Sequence, residues 1–201
     1  MKKQVVVIHG GDSFDTHEEY ISFLKNFEID SLDYFRGKSW KTTLQERLGD
    51  DFEVILPRMP NPFDARYAEW KIWFDKLVPF LNDGVMLVGH SLGGIFLAKY
   101  LSENKFPKTI TATILVSAPF DGEGDEESLV DFVLPSSIEL FEKQGGKIII
   151  YQSKDDTSVL PIQCEKYKKA LPSAYVMMFE DRGHFTQEEF PELVEKIKEI
   201  S

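Results

Sequence analysis

The sequence predicts an α/β fold: about six mostly parallel strands in one sheet, helices on both faces, a three-layer sandwich formed as a single domain over residues 1–201. Three observations carry that prediction. Short apolar, β-branched runs recur along the chain. Most are continuously apolar, as strands covered on both faces are. They alternate with segments of helical periodicity. At 201 residues the chain is long enough to bury a core without staples.

The elements follow in order. "QVVVIHGG" (4–11) is a β-branched run ending in glycines, which is expected to be a buried strand. "DTHEEYISFLKNF" (15–27) is helical: Thr16 and Glu19 have the capping-box spacing, and Ile21, Leu24 and Phe27 make an apolar stripe. A second short helix is expected over 40–48. "FEVILP" (52–57) is a strand stopped by proline. "PNPFDARYAEWKIWFDKLVPFL" (60–81) holds a long amphipathic helix with Tyr67, Trp70, Phe74 and Leu77 on one face. "GVMLVG" (84–89) is a strand and "LGGIFLAKYLSE" (92–103) a helix. "ITATILVSAP" (110–119), "KIIIYQS" (147–153) and "AYVMMF" (174–179) are strands, and "EEFPELVEKIKEI" (188–200) closes the chain as a helix. The acidic stretch "FDGEGDEESLVDF" (120–132) interrupts the alternation, either as a solvated loop or as a small cap.

A formal net charge of −11 repels phosphate backbones and anionic lipid, which argues against nucleic acid and membrane as partners. No run approaches the ~18 apolar residues of a membrane span, and the apolar run after Lys3 is too short for a signal-peptide core. The single cysteine, Cys164, permits no internal disulfide. A cytoplasmic protein is expected. No metal is expected, since His-x-x-x-His and paired-cysteine spacings are absent. No cofactor is expected either: Gly145-Gly146-Lys147 precedes a strand and lacks a following Ser or Thr, and "GHSLGG" does not satisfy G-x-G-x-x-G.

The chemistry is concentrated around Gly89-His90-Ser91-Leu92-Gly93, a G-x-S-x-G placed between a strand and a helix. On such a turn the serine hydroxyl projects above the sheet edge, and side chains two residues before and after would collide. Gly94 would let the helix pack close to a neighbouring strand. A serine needs a base. Four histidines are available. His90 belongs to the elbow and is expected to point away from the serine; His9 ends the first strand; His17 opens a helix. His184, in the loop after the last strand, comes to the sheet's carboxyl edge, where it can reach Ser91. The base in turn needs an acid. "YQSKDDTSVLP" (151–161) offers Asp155 and Asp156, and the spacing to Val159 and Pro161 favours Asp156. For the oxyanion, one donor is the amide of Leu92 and a second comes from "HGG" (9–11), with Gly11 the first choice and Asp12 the next.

"VIHGG", "GHSLGG", "SKDDTSVLP" and "DRGHF" together resemble the small α/β-hydrolases related to retinoblastoma-binding protein 9, a serine hydrolase family. The resemblance runs nearly end to end. It implies the α/β-hydrolase fold with a minimal cap, a first strand matching the third of larger members, and a triad of Ser91, Asp156 and His184. The expected activity is esterase-like, on a small-molecule acyl substrate; a binding protein keeping the same fold is the competing reading. Tyr20, Phe35, Trp73, Phe120 and Phe185 are candidate pocket residues. Asp12, Asp15, Asp121, Glu123, Asp125, Glu126 and Glu127 are expected to make an acidic rim that favours neutral or cationic substrates.

Overall fold

The computed structural model describes residues 2–29, 31–32, 38–124 and 128–201. The strands are β1 (Lys3–Ile8), β2 (Phe52–Ile55), β3 (Val85–His90), β4 (Ile110–Val116), β5 (Lys147–Ser153) and β6 (Tyr175–Phe179). They form one sheet in the order β2-β1-β3-β4-β5-β6, and every neighbouring pair is parallel. The helices are α1 (His17–Asn26), α2 (Trp40–Leu48), α3 (Tyr67–Leu77), α4 (Leu92–Glu103), α5 (Glu139–Gln144), α6 (Pro161–Ala170) and α7 (Pro191–Ile200).

Alternate side chains along each strand enter two separate cores, as the two-residue repeat of a strand requires. Val6, Ile8, Leu87, Leu115 and Ile150 pack with Trp70, Phe74, Phe96 and Tyr167 of α3, α4 and α6. Val5, Val7, Met86, Val88, Ile114 and Tyr151 pack with Trp40 and Leu44 of α2 and Leu193 and Ile197 of α7. A continuously apolar strand is therefore read twice, once on each face.

Two elements depart from expectation, and a third, α6, is not among those the sequence predicts. The capping box of α1 forms between Thr16 and Glu19, but none of the helix's residues is buried. Its aromatic contacts run from Phe14 to Tyr20 and Phe23, and Leu24 of the anticipated stripe is 44% exposed. On α3, Tyr67, Trp70 and Phe74 are buried as expected, whereas Trp73 faces outward at 48% exposure. Helix α6 has no clear apolar stripe because one of its buried residues is Gln163. That side chain accepts from the amides of Phe120 and Asp121 and donates to the Glu123 carbonyl, so a polar residue does the anchoring.

Candidate active site

β1 is the point where the chain reverses its progress across the sheet. It pairs with β2 on one side and β3 on the other, with α2 packed on one face of the sheet and α3 on the other. Such a switch point leaves a crevice at the carboxyl ends of the two central strands. His9–Gly11 follow β1 there, and Ser91 follows β3.

Ser91 has φ 54° and ψ −126°, a conformation that costs a non-glycine residue about 1–3 kcal/mol and persists only where its surroundings enforce it. The glycines around it allow that. A methyl group on Gly89 would stand 2.4 Å from the Gly93 carbonyl oxygen, one on Gly93 would stand 2.5 Å from the carbonyl oxygens of Ile8 and His9, and one on Gly94 would meet Ala118 Cβ at 2.5 Å. The neighbours of Gly93 are backbone atoms of a central strand and its exit, which cannot step aside. Gly93→Ala is expected to lower the stability by about 1–3 kcal/mol, read as a lower urea midpoint at unchanged m-value.

Asp156 is buried to 1% exposure, and each of its oxygens is occupied. Oδ1 accepts from the amides of Ser158 (2.9 Å) and Val159 (3.0 Å). Oδ2 accepts from Ser117 Oγ at 2.5 Å. His184 Nδ1 lies 3.0 Å from Oδ2 and 3.2 Å from Oδ1. Burial alone would raise the pKa of this carboxyl; the bonds from His184, Ser117 and Val159 outweigh it and hold the pKa below the ordinary value. Ser117, itself at φ 45°, carries no signal in the sequence, because a serine just past the end of a strand is commonplace.

Asp155 does a different job. Its Oδ1 accepts from Ser153 Oγ (2.5 Å) and from the Gly183 amide (2.8 Å), so it ties the β5 exit to the loop that carries His184. Gly183 sits at φ 50°, a positive angle for which glycine is suited.

The histidines separate by their partners. His9 places Nδ1 2.6 Å from the Gly10 carbonyl and accepts the Met59 amide at Nε2 (3.0 Å), so its neutral tautomer is committed. His90, expected to point away from the serine, packs beside His184: its Nε2 reaches the His184 carbonyl at 2.7 Å and its ring stands 4.9 Å from that of His184. Burial, with Lys41 and His184 nearby, pushes its pKa well down. His17 is exposed on α1. Among the described residues, His184 is the histidine that pairs with a carboxylate, and it opens together with Ser91 onto one cleft of ≈ 400 Å³. Ser91 Oγ and the His184 ring are not hydrogen-bonded in this structure; catalytic contacts commonly tighten only around substrate.

Gly11 and Leu92 border a crevice of ≈ 10 Å³ beside Ser91, closed by Leu129 and Val159. Leu92 is the first residue of α4, so its amide has no acceptor within the helix. The Asp12 amide is already bonded to the Pro62 carbonyl at 2.9 Å, which leaves Gly11 as the better donor of the two. A side chain at Gly11 would strike that same carbonyl at 2.5 Å. The described part of the acidic connection reaches the site: the Ser128 carbonyl accepts from Ser13 Oγ at 2.6 Å, and Ser128 and Leu129 line the crevice.

The anticipated pocket aromatics are dispersed. Phe185 is wholly buried in the core, Trp73 lies outside, Phe120 packs on Tyr167, and Tyr20 lines a separate groove with Pro62 and Phe63. Phe35 lies outside the described residues. The acidic rim is also weaker than expected. Lys166 binds Asp121 (2.6 Å) and Glu123 (2.8 Å), and Asp125, Glu126 and Glu127 lie outside the described residues. Among the described charges of the cleft are Asp12 and Lys41, and no motif or spacing singles out the lysine.

The family model described as serine hydrolase matches residues 35–198. Serine hydrolase RBBP9 of Rattus norvegicus is 30% identical over 151 residues, 74% of this chain and 78% of that protein. The putative hydrolase YdeN of Bacillus subtilis is 25% identical over 192 residues, covering 94% and 89% of the two chains. The crystal structure of the B. subtilis ydeN gene product superposes with a TM-score of 0.77 at 20% identity, over 99% of this chain and 98% of that one. No helix among the described residues is long and apolar enough to cross a membrane. By the extent of the family match and the identity to the rat protein, this chain belongs to the serine hydrolases, on an α/β-hydrolase fold.

Proposed function

We propose that the enzyme hydrolyses small acyl esters with Ser91 as nucleophile, His184 as base and Asp156 as the residue that orients it. The observation that carries this reading is the pairing of buried Asp156 with His184 Nδ1 in the cleft onto which strained Ser91 opens. Ser91 Oγ attacks the acyl carbon while its proton passes to His184 Nε2. The carbonyl electron pair moves to oxygen, and the amides of Gly11 and Leu92 receive it. Collapse breaks the bond to the leaving alkoxide, which takes the proton from His184. Water then attacks the acyl-enzyme, giving its proton to His184, and the second collapse returns that proton to Ser91 as the acid departs. Asp156 stays ionised throughout and stabilises the imidazolium.

The ≈ 10 Å³ crevice beside Leu92 supports a short acyl group, since that volume holds about one water. A cytoplasmic setting fits a single buried thiol, Cys164, whose pKa burial pushes up to about 11. The test is labelling with a fluorophosphonate, mapping of the modified peptide, and a 4-nitrophenyl ester series from acetate to octanoate. Label on Ser91 with kcat/KM highest for acetate and falling as the acyl chain lengthens is expected; label elsewhere, or none, overturns the assignment.

A further inference from the structure

Lys41 is the second residue of α2 and lines the cleft shared by Ser91 and His184. Its Nζ lies 3.4 Å from His90 Nδ1 and 4.9 Å from the centre of the Trp40 ring. No carboxylate lies within 4 Å of it among the described residues, whereas Lys154 and Lys71 each have one and Lys166 has two. An ammonium brought into a catalytic cleft without a counter-ion is poorly solvated and gains from any anion that enters.

The side of the cleft follows from the chemistry. The acyl group occupies the narrow crevice bordered by Leu92, Leu129 and Val159. The leaving oxygen takes its proton from His184, so the alcohol part stands in the wider cleft that His184 and Lys41 line. We infer that Lys41 is a specificity-determining residue that binds a carboxylate carried on the alcohol part of the ester. The inference rests on the Ser91–His184 reading above. It reverses the substrate sign expected from the acidic stretches, two of whose carboxylates are taken up by Lys166.

Four titratable groups bear on Lys41 or share its cleft. His9 and His90 have their pKa values lowered, chiefly by burial, and stay neutral, so they add no repulsion to an ammonium or attraction to an anion. His184 is paired with Asp156. Asp12 shares the cleft, with its pKa raised by burial against an opposing effect of His184, and it disfavours an anion on that side. The substrate carboxylate therefore belongs on the His90 side of the cleft. Burial brings the pKa of Lys41 down to about 8, so its charge is present at neutral pH and is lost as the pH rises past that value.

The experiment measures kcat/KM for 3- and 4-acetoxybenzoate and for their methyl esters, following release of the phenol. The ratio of anionic to neutral ester is compared across the parent enzyme, Lys41→Met, Lys41→Gln and Lys41→Arg. A charge-assisted hydrogen bond predicts that the ratio falls about tenfold in the methionine and glutamine variants and is largely kept in the arginine variant. In the parent enzyme it should decline between about pH 7 and 9, on either side of the lysine's pKa, a change that a purely structural lysine would not cause. Equal ratios in the parent and in whichever neutral variant folds, or a parent ratio flat across that pH range, overturn the inference while leaving the triad standing. Failure of the parent enzyme to cleave even the neutral esters counts instead against the Ser91–His184 reading.

Discussion

Ser91→Ala is expected to remove fluorophosphonate labelling and to reduce kcat for 4-nitrophenyl acetate by on the order of a millionfold, the loss seen when the nucleophile of a working triad is deleted. On the proposed mechanism the variant cannot form the acyl-enzyme, because Ser91 is the residue assigned as nucleophile at the end of β3. His184 could still act as a base toward water, so a small residual rate from binding and the oxyanion site is compatible with the assignment. The substitution is nearly isosteric. The alanine must still adopt the φ near 54° of the parent serine, and the close contacts at Gly89, Gly93 and Gly94 keep the turn in place. Unchanged far-ultraviolet circular dichroism with unchanged esterase rate would exclude Ser91 as the nucleophile.

Asp156→Asn is expected to lower kcat by about a thousandfold or more. The amide can still accept from the Ser158 and Val159 amides, but its NH₂ group would face Ser117 Oγ or His184 Nδ1, each of which donates to the parent carboxylate. The imidazole is then pushed to the tautomer with its proton on Nε2, where the base should be free. Asp155→Asn makes the control. Asp155 touches neither the His184 ring nor Ser117; it holds the Gly183 amide and Ser153. Its substitution loosens the loop without changing the tautomer and should cost only about tenfold. Measuring both variants on one ester decides which carboxylate orients the base, and the reverse ranking would transfer the role to Asp155.

The parts of this site that are legible in the sequence are those with local spacing. The G-x-S-x-G of residues 89–93 must satisfy a steric rule within five residues, and the sequence shows it. Asp156 and His184 follow from chain order, because parallel strands deliver the loops after β5 and β6 to the same edge as the loop after β3. The sheet itself is readable because β-branched runs buried on both faces leave a long, unbroken signal. What stays hidden has no such period. Ser117, His90 and Lys41 gain meaning from neighbours 39, 94 and 49 positions away. Helix α6 is obscured because Gln163 anchors it by hydrogen bonds, and a glutamine in a sequence reads as surface. The stripe of α1 is a true periodicity with no core to face.

The loop bearing His184 is fastened to the helix that follows it by the Arg182–Glu192 ion pair and to α2 by several hydrogen bonds. Trp40 donates its indole N–H to the Phe185 carbonyl (2.9 Å) and its amide to the Gln187 carbonyl (3.0 Å), and Thr43 Oγ1 donates to the Glu188 carbonyl (3.0 Å). His90, the neighbour of Ser91, grips the His184 carbonyl from the other side. His184 is thus held from three sides: by the elbow through His90, by the β5 exit through Asp155, Asp156 and Ser153, and by a helix from the first quarter of the chain. Opening of α2 away from the sheet, a fluctuation that need not melt the strands, would remove one of those three holds. On heating, esterase activity is then expected to be lost at a lower temperature than the far-ultraviolet circular dichroism of the sheet, because the joint at Trp40 can part while the scaffold beneath it is still whole.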